Sequence, residues 1–247
     1  MLLGMLCMAQ AKDRIVERPP FLAQNSSSIE IDKIVMSDTV TTVYIKAFYR
    51  PKYWIKIATG SVLKDNNGIL YPIRKGIGIT LDKEFWMPES GEAEFQLTFP
   101  PIPQNVTRLD FSEGDFEGAY KIWGIQLDKK SFGKFKLPKD VIVPKADHKM
   151  TLPDPIVKYD KAILKGRILD YQKGMPDKGS LYYQDVIREG AQEGKIRIQD
   201  DGTFYHEMNV FMITPCTIMF PFGTIEYLLA PGETTSIVIN LRENARK

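Results

Sequence analysis

The sequence predicts an all-β protein of two tandem β-sandwich domains. Three observations predict it. Many short stretches alternate apolar and polar residues with period two, the signature of half-buried strands. Turn formers such as Asp65-Asn66-Asn67-Gly68, Glu89-Ser90-Gly91, Asp200-Asp201-Gly202 and Pro231-Gly232 separate these stretches. Few segments carry the i, i+3, i+4 spacing of an amphipathic helix, and the 16 prolines among 247 residues favour turns over long helices.

The elements follow in chain order. Lys12 to Asn25, with Pro19-Pro20, reads as an extended lead-in. Ile29 and Ile31 alternate with Glu30 and Asp32, and Val43, Ile45 and Ala47 share one face of the next strand. Trp54, Ile55 and Ile57 begin another. Asn67-Gly68 accepts the positive φ of a tight hairpin, and Ile69 to Leu81 are expected to return from it. After the turn at Gly91, Ala93, Phe95, Leu97 and Phe99 alternate with polar residues until Pro100, Pro101 and Pro103 end the strand. Leu109 and Phe111 form a short strand, and Tyr120 to Leu127 the last. About seven short strands over roughly 100 residues is the spacing of an immunoglobulin-like sandwich, assigned here to residues 24–128.

Residues 129–159 are rich in Lys and Pro and lack sustained periodicity. They read as a connector with one edge strand at Val141 to Val143. A second β unit is assigned to residues 160–242. Ala162 to Leu169 alternate, Gly190 to Gly194 is read as a turn region, and Lys195 to Gln199 as a strand. Phe204 starts the return after Asp200-Asp201-Gly202. Val210 to Phe222 is an apolar stretch broken by Pro215, and Glu226 to Leu229 and Ser236 to Leu241 close the unit. Gly194 to Phe204 carries the strand–turn–strand pattern G-x-I-x-I-x-D-D-G-x-F and resembles the regulatory-like sandwiches appended to many secreted enzymes.

Thirty-three Lys and Arg against 31 Asp and Glu leave a net charge of +2. That balance gives no field that would select nucleic acid or an anionic membrane. Met1 to Met8 are almost wholly apolar, and Ala9-Gln10-Ala11 has the small-x-small pattern of a signal-peptidase site, so residues 1–11 read as a secretory signal. This stretch is far short of the ~20 residues a membrane helix needs. Met5 and Leu6 before Cys7 do not suit a lipoprotein site. Cleavage after Ala11 would leave Cys216 alone, so export to the periplasm or cell envelope is inferred from the signal and not from cysteine usage.

Candidate chemistry is sparse. His148 falls in the connector, and His206 is read as alternating outward from a strand. Cys216 in ITPCTIMF has apolar neighbours and no activating charge. Asp110, Glu113, Asp115 and Glu117 in DFSEGDFEG are weak candidates for a metal site, since grouped carboxylates suit Ca²⁺, but their spacing does not fit an EF-hand. Gly76-Ile77-Gly78 lacks the helix a phosphate loop requires. The connector lysines, with only Phe132 and Phe135 among them, read as a solvated linker. Trp54, Trp86 and Trp123, with Tyr49, Tyr53 and Tyr71, are candidates for a ligand-binding face that stacks sugars, or else core fillers. No cofactor is expected.

Three stretches of the first domain, SSIEIDKIVMSDTVTTVYIKAFYRPKYWIKIATGSVL, YPIRKGIGITLDKEFWMPESGEAEFQLTFPPIP and YKIWGIQL, resemble the N-terminal region of envelope TlpA-like thiol–disulfide oxidoreductases. So do AILKGRIL, GKIRIQDDGTF and LLAPGETTSIVINL in the second. In that group two β domains precede a helical stretch and a thioredoxin-like domain. The resemblance implies that the chain would continue beyond NLRENARK into those parts. The family's Trp-Cys-x-x-Cys redox segment has no counterpart here, and Cys216 does not replace it. The resulting expectation is a non-catalytic accessory region of such an oxidoreductase, positioning the redox domain or holding a client polypeptide. The rival readings are a standalone envelope module that binds glycan or protein through its aromatics, and an enzyme built around His206. An exposed aromatic stripe would favour the module.

Overall fold

The computed structural model describes residues 13–128, 136–142, 157–172, 174–184 and 190–244. The expected signal at 1–11, Phe132, Phe135, Val143 and His148 lie outside the described residues. The chain divides into two compact units, residues 1–133 and 134–247. Both are β structure, with a single helical turn, α1 (Leu241–Asn244), among the described residues. No helix among them is long and apolar enough to cross a membrane.

The first unit runs β1 (Arg14–Glu17), β2 (Ala23–Gln24), β3 (Ile29–Met36), β4 (Thr41–Phe48), β5 (Trp54–Ile55) and β6 (Val62–Asp65). It continues through β7 (Leu70–Pro72), β8 (Lys75–Ile77), β9 (Phe85–Trp86), β10 (Glu92–Phe99), β11 (Arg108–Ser112) and β12 (Lys121–Gln126). One five-stranded sheet has the order β1-β3-β4-β10-β8 and a second the order β2-β12-β11-β6-β7, while β5 and β9 form a separate ribbon. Alternation decides which faces meet. Ile29, Ile34, Val43, Ile45, Phe95 and Leu97 of the first sheet share one core with Leu63, Leu109, Phe111, Ile122 and Ile125 of the second. Each such side chain contributes about 1.5–3 kcal/mol of burial. In β3 the alternation breaks between Ile31 and Ile34. A bulge between Ile31 and Lys33 absorbs the extra residue and returns Ile34 and Met36 to the core.

Two expectations are corrected in this unit. The lead-in is not merely extended: β1 pairs antiparallel with β3 from Arg14↔Met36 to Glu17↔Lys33. The Arg14 guanidinium donates to the carbonyls of Gln104, Val106 and Leu127, each at 2.7 Å, which anchors a strand too short to hold by its ladder alone. The return from the hairpin, expected over Ile69 to Leu81, splits into β7 and β8 in different sheets. Pro72 ends β7, Ile73 donates to Ser61 O on one side, and Arg74 donates to Thr98 O on the other.

The hairpin itself forms where Asn-Gly places it, with Gly68 at φ 85°. Buried Asp65 organises it. Its Oδ1 accepts the N–H groups of Asn67 (2.8 Å) and Ile69 (2.9 Å), and its Oδ2 accepts the Tyr71 hydroxyl (3.1 Å). Burial pushes this carboxyl up, but the donors together outweigh it and hold it below its ordinary 3.8. Asp65 therefore contributes stability that is present above pH 3.8 and lost as pH falls through its lower folded value. Asp65→Ala is expected to cost about 2 kcal/mol in urea denaturation at neutral pH, and the difference from wild type should shrink in strong acid.

The second unit runs β13 (Asp160–Leu169), β14 (Lys178–Gln184), β15 (Ala191–Arg197), β16 (Thr203–Val210), β17 (Thr214–Phe220), β18 (Gly223–Leu229) and β19 (Thr234–Asn240). Its sheets have the orders β16-β13-β19 and β15-β14-β17-β18. The β13–β19 pairing is parallel and the others are antiparallel. Phe204 of one sheet meets Phe220 of the other at 5.5 Å between ring centroids. The turn expected at Gly190 to Gly194 is mostly strand, since β15 starts at Ala191 and pairs along all of β14. The expected edge strand at Val141 to Val143 is absent from its described part: Val141 N–H closes a turn onto Pro138 O. Pro215 is tolerated inside β17 because the β14 ladder stops at Cys216, one residue short of it. His206 does not face outward as expected. It shares the inner face of β16 with Phe204, Met208 and Val210, and its ring lies 3.0 Å from where a Cβ on Gly194 would stand.

Candidate functional site

The site is built on the β5–β9 ribbon of the first unit. Trp54 pairs with Trp86 and Ile55 with Phe85. Ile55 is buried, and Phe85 packs against Phe95 at 6.2 Å. Successive side chains point to opposite faces, so Trp54 and Trp86 turn outward together. They are 45% and 60% exposed, so two large apolar rings stand next to each other at the surface. Directly opposite antiparallel residues have Cβ atoms about 5 Å apart, so the two indoles leave one face of the ribbon side by side, which makes that face a candidate platform.

A turn at Arg50–Tyr53 extends it. Tyr53 N–H donates to Arg50 O at 3.2 Å, and Lys52 N–H donates to Met87 O, which ties the turn to β9's end. Tyr49 and Tyr53 meet edge to face at 6.3 Å and are both exposed. The Arg50 guanidinium lies 5.7 Å from the Tyr53 ring. Gly91, at φ 71°, accepts from Tyr49 N–H at 2.9 Å; a Cβ there would come 2.7 Å from Tyr49 O. That close approach fixes where the Tyr49 backbone runs.

Beside the platform lies a cleft of about 670 Å³ whose lining includes Tyr49, Tyr53, Trp54, Phe116 and Tyr120, with Lys56 and Glu117 as its charged groups beside Glu113. The loop between β11 and β12 forms one wall and presents Phe116, 49% exposed. Glu113 holds that wall. One carboxylate oxygen accepts Ala58 N–H and the other Tyr120 N–H, both at 2.9 Å. Burial pushes the Glu113 carboxyl above its ordinary value, against the pull of those two donors and of Lys56. A raised folded value means stability that is fully present below the unfolded 4.5 and is lost as pH rises through the folded value. Glu113→Gln keeps only one good acceptor. It is expected to cost about 1–2 kcal/mol and to remove the acid-side gain, read from urea midpoints across pH 4 to about 7.

The structure separates the metal candidates. Asp110 accepts Gly124 N–H at 2.7 Å and pairs with Lys64, Glu113 clamps the cleft wall, Asp115 pairs with Lys121 at 2.9 Å, and Glu117 stands at the cleft. Among the described residues no group of three or more His, Cys, Asp or Glu side chains could hold a metal ion. The aromatic candidates divide as well. Trp54 and Trp86 share the surface, whereas Trp123 on β12 is 7% exposed and belongs to the interior. Tyr71 is buried against Asp65. The sequence marks Phe116, with Phe111, as an anchor to the core, and Tyr120 as the start of the last strand; Phe111 is buried, but the loop carries Phe116 out to 49% exposure, and both Phe116 and Tyr120 line the cleft. The signal was present in the glycines flanking Phe116, Gly114 and Gly118, which mark a tight loop.

No family model matches the chain, and no curated protein matches it. Among solved structures, the chain is similar to pullulanase type I from Bacillus subtilis str. 168 complexed with maltose, at 7% identity and TM-score 0.27, over 76% of this chain and 23% of that one. It is similar to pullulanase from Anoxybacillus sp. LM18-11 complexed with maltotriose, at 11% identity and TM-score 0.26, over 76% and 24%. The Bacillus anthracis TIE protein aligns at 10% identity and TM-score 0.23, over 93% of this chain and 40% of that one. The chain thus spans well under half the length of each of these structures.

Proposed function

We propose that this chain is a non-catalytic binding region of an exported protein, and that its first unit holds a neutral glycan on the Trp54–Trp86 platform and in the adjoining cleft. The observation that carries this is the outward pairing of two tryptophans beside a cleft walled by three tyrosines and Phe116. Sugar rings carry one apolar C–H face, which stacks on flat aromatic rings, and hydroxyls, which need polar neighbours. Ser26, Ser28, Lys56 and Glu117 supply those neighbours. Lys56 stands against two carboxylates, Glu113 and Glu117, so the cleft has no excess of positive charge to select an anionic ligand, and the neutral face of a sugar suits its aromatic walls.

The absence of catalysis in this reading rests on buried Cys216 and half-buried His206. The Cys216 thiol, pushed up to about 11 by burial, is a poor nucleophile at neutral pH. His206 sits on an inner face of the second unit and does not line the cleft, and that placement rather than its burial-lowered pKa sets it aside. In the setting implied by the resemblance to TlpA-like proteins, the region would tether a redox domain to envelope glycan instead of presenting a thiol of its own. Affinity electrophoresis of the full chain through gels cast with neutral polysaccharides tests this. Retardation in at least one neutral gel, relieved by free oligosaccharide, is expected. Unchanged mobility in every neutral gel, with binding only to unfolded polypeptide, would overturn the glycan reading in favour of a client-binding one.

A further inference from the structure

The aromatic groups at the cleft are not equivalent. Trp54 lines the cleft, whereas Trp86 is not part of its lining. The two are paired directly across the β5–β9 ribbon, with Cβ atoms about 5 Å apart on one face. Trp54 therefore belongs to two places at once, the cleft and the ribbon face that carries Trp86. The polar partners belong to only one of them. Ser26, Ser28, Lys56 and Glu117 all line the cleft. Ser26 Oγ accepts Ser28 N–H at 3.1 Å, which leaves the Ser26 hydroxyl proton to donate. Trp86 stands exposed between Phe85, which packs on Phe95, and buried Met87, and offers chiefly its ring. A cleft of about 670 Å³ lies in the size range that encloses a drug-sized molecule, more space than one sugar ring fills.

The cleft wall is set before any ligand arrives. Glu113 N–H donates to Tyr120 O, and Tyr120 N–H returns to the Glu113 carboxylate, both at 2.9 Å, which closes the neck of the β11–β12 loop. Asn25 holds the same neck from outside. Its amide nitrogen donates to Ala119 O and its Oδ1 accepts Lys121 N–H, both at 2.8 Å. Inside the loop the Phe116 ring covers Gly114, where a Cβ would stand 2.9 Å from Phe116 Cε1. Phe116 thus faces the cleft from a fixed loop, and little ordering cost falls on binding.

We propose that the first unit recognises a glycan over several consecutive sugar rings, in two adjoining subsites that share Trp54. The cleft selects the sugar through its hydroxyls and one apolar face, and Trp86 stacks the ring that follows. This rests on the glycan reading above and adds the class of ligand, a chain and not a single sugar. Isothermal titration of the full chain tests it, with hydrolysates of the neutral polysaccharides used in the gels, graded from one sugar ring to six. Affinity is expected to rise about tenfold when the chain becomes long enough to leave the cleft and reach Trp86, and then to level off. Trp86→Ala should remove that rise, whereas Phe116→Ala should weaken short and long ligands by the same factor and keep it. The wild-type length series stands independently of either variant, and a melting curve for each checks its fold. A single ring that binds as tightly as six, or a rise that survives Trp86→Ala, would overturn the two subsites while leaving the glycan reading in place. Binding at no length would overturn both.

Discussion

Gly166→Ala is expected to cost the second unit about 3 kcal/mol of stability, the upper end of the usual cost of overpacking. Gly166 on β13 lies opposite Phe204 on β16, and the phenyl ring covers the glycine. A Cβ at Gly166 would stand 1.9 Å from Phe204 Cζ and 2.2 and 2.4 Å from its Cε atoms. The ring has little room to withdraw, because Phe220 packs against it and is itself stacked on Phe222 at 5.2 Å. The sign is informative. At an open strand position, alanine would stabilise by about 0.5–1 kcal/mol relative to glycine, so a loss isolates the clash. Adding Phe204→Leu should recover part of it, because the smaller side chain frees the space. Equilibrium urea denaturation of the wild type, the single variant and the double variant measures both effects. A neutral or stabilising Gly166→Ala would mean that the ring does not sit over the glycine.

The second large effect is on binding. Trp54→Ala combined with Trp86→Ala is expected to weaken glycan binding about a hundredfold, from about 1.5 kcal/mol lost per stacked ring. The fold should barely change. Both indoles point outward, and substitutions at exposed positions usually stay within about 0.5 kcal/mol. Isothermal titration with the oligosaccharide found by affinity electrophoresis, beside a melting curve for each variant, separates the two effects. Equal losses of affinity and melting temperature would assign the tryptophans to the fold.

Local signals in the sequence located much of this structure. Asp65 to Gly68 and Asp200 to Gly202 make their turns through contacts a few residues apart, as in the Asp201 carboxylate that accepts Thr203 N–H at 2.9 Å. The faces of β4 and β10 follow period two, so Val43, Ile45, Phe95 and Leu97 are read inward directly. What the sequence leaves hidden depends on distant partners. The parallel β13–β19 pairing joins strands some 70 residues apart, and the crossing between sheets at Pro72–Arg74 has no local mark beyond a proline. Arg14 reads as one charge among many until its three carbonyl partners are known.

The three tryptophans show the same limit. Trp54 alternates with buried Ile55 and Ile57, and Trp86 sits between Phe85 and buried Met87, so period two favours an outward direction for both. Trp123 lies in KIWGIQ, where the residues from Ile122 to Gln126 are all buried and alternation carries no information. His206 misleads for a related reason. A polar residue on a strand is normally assigned to solvent, but here Gly194 on the facing strand leaves space for an imidazole on the inner face.

The most direct test of the glycan site is a tryptophan fluorescence titration of the full chain with a neutral oligosaccharide. Trp54 and Trp86 are exposed and Trp123 is buried, so a sugar stacked on the platform should shift emission to the blue saturably, and Trp54→Ala with Trp86→Ala should abolish the shift. Saturable binding that leaves the emission unchanged, or a shift that survives the double substitution, would contradict the site.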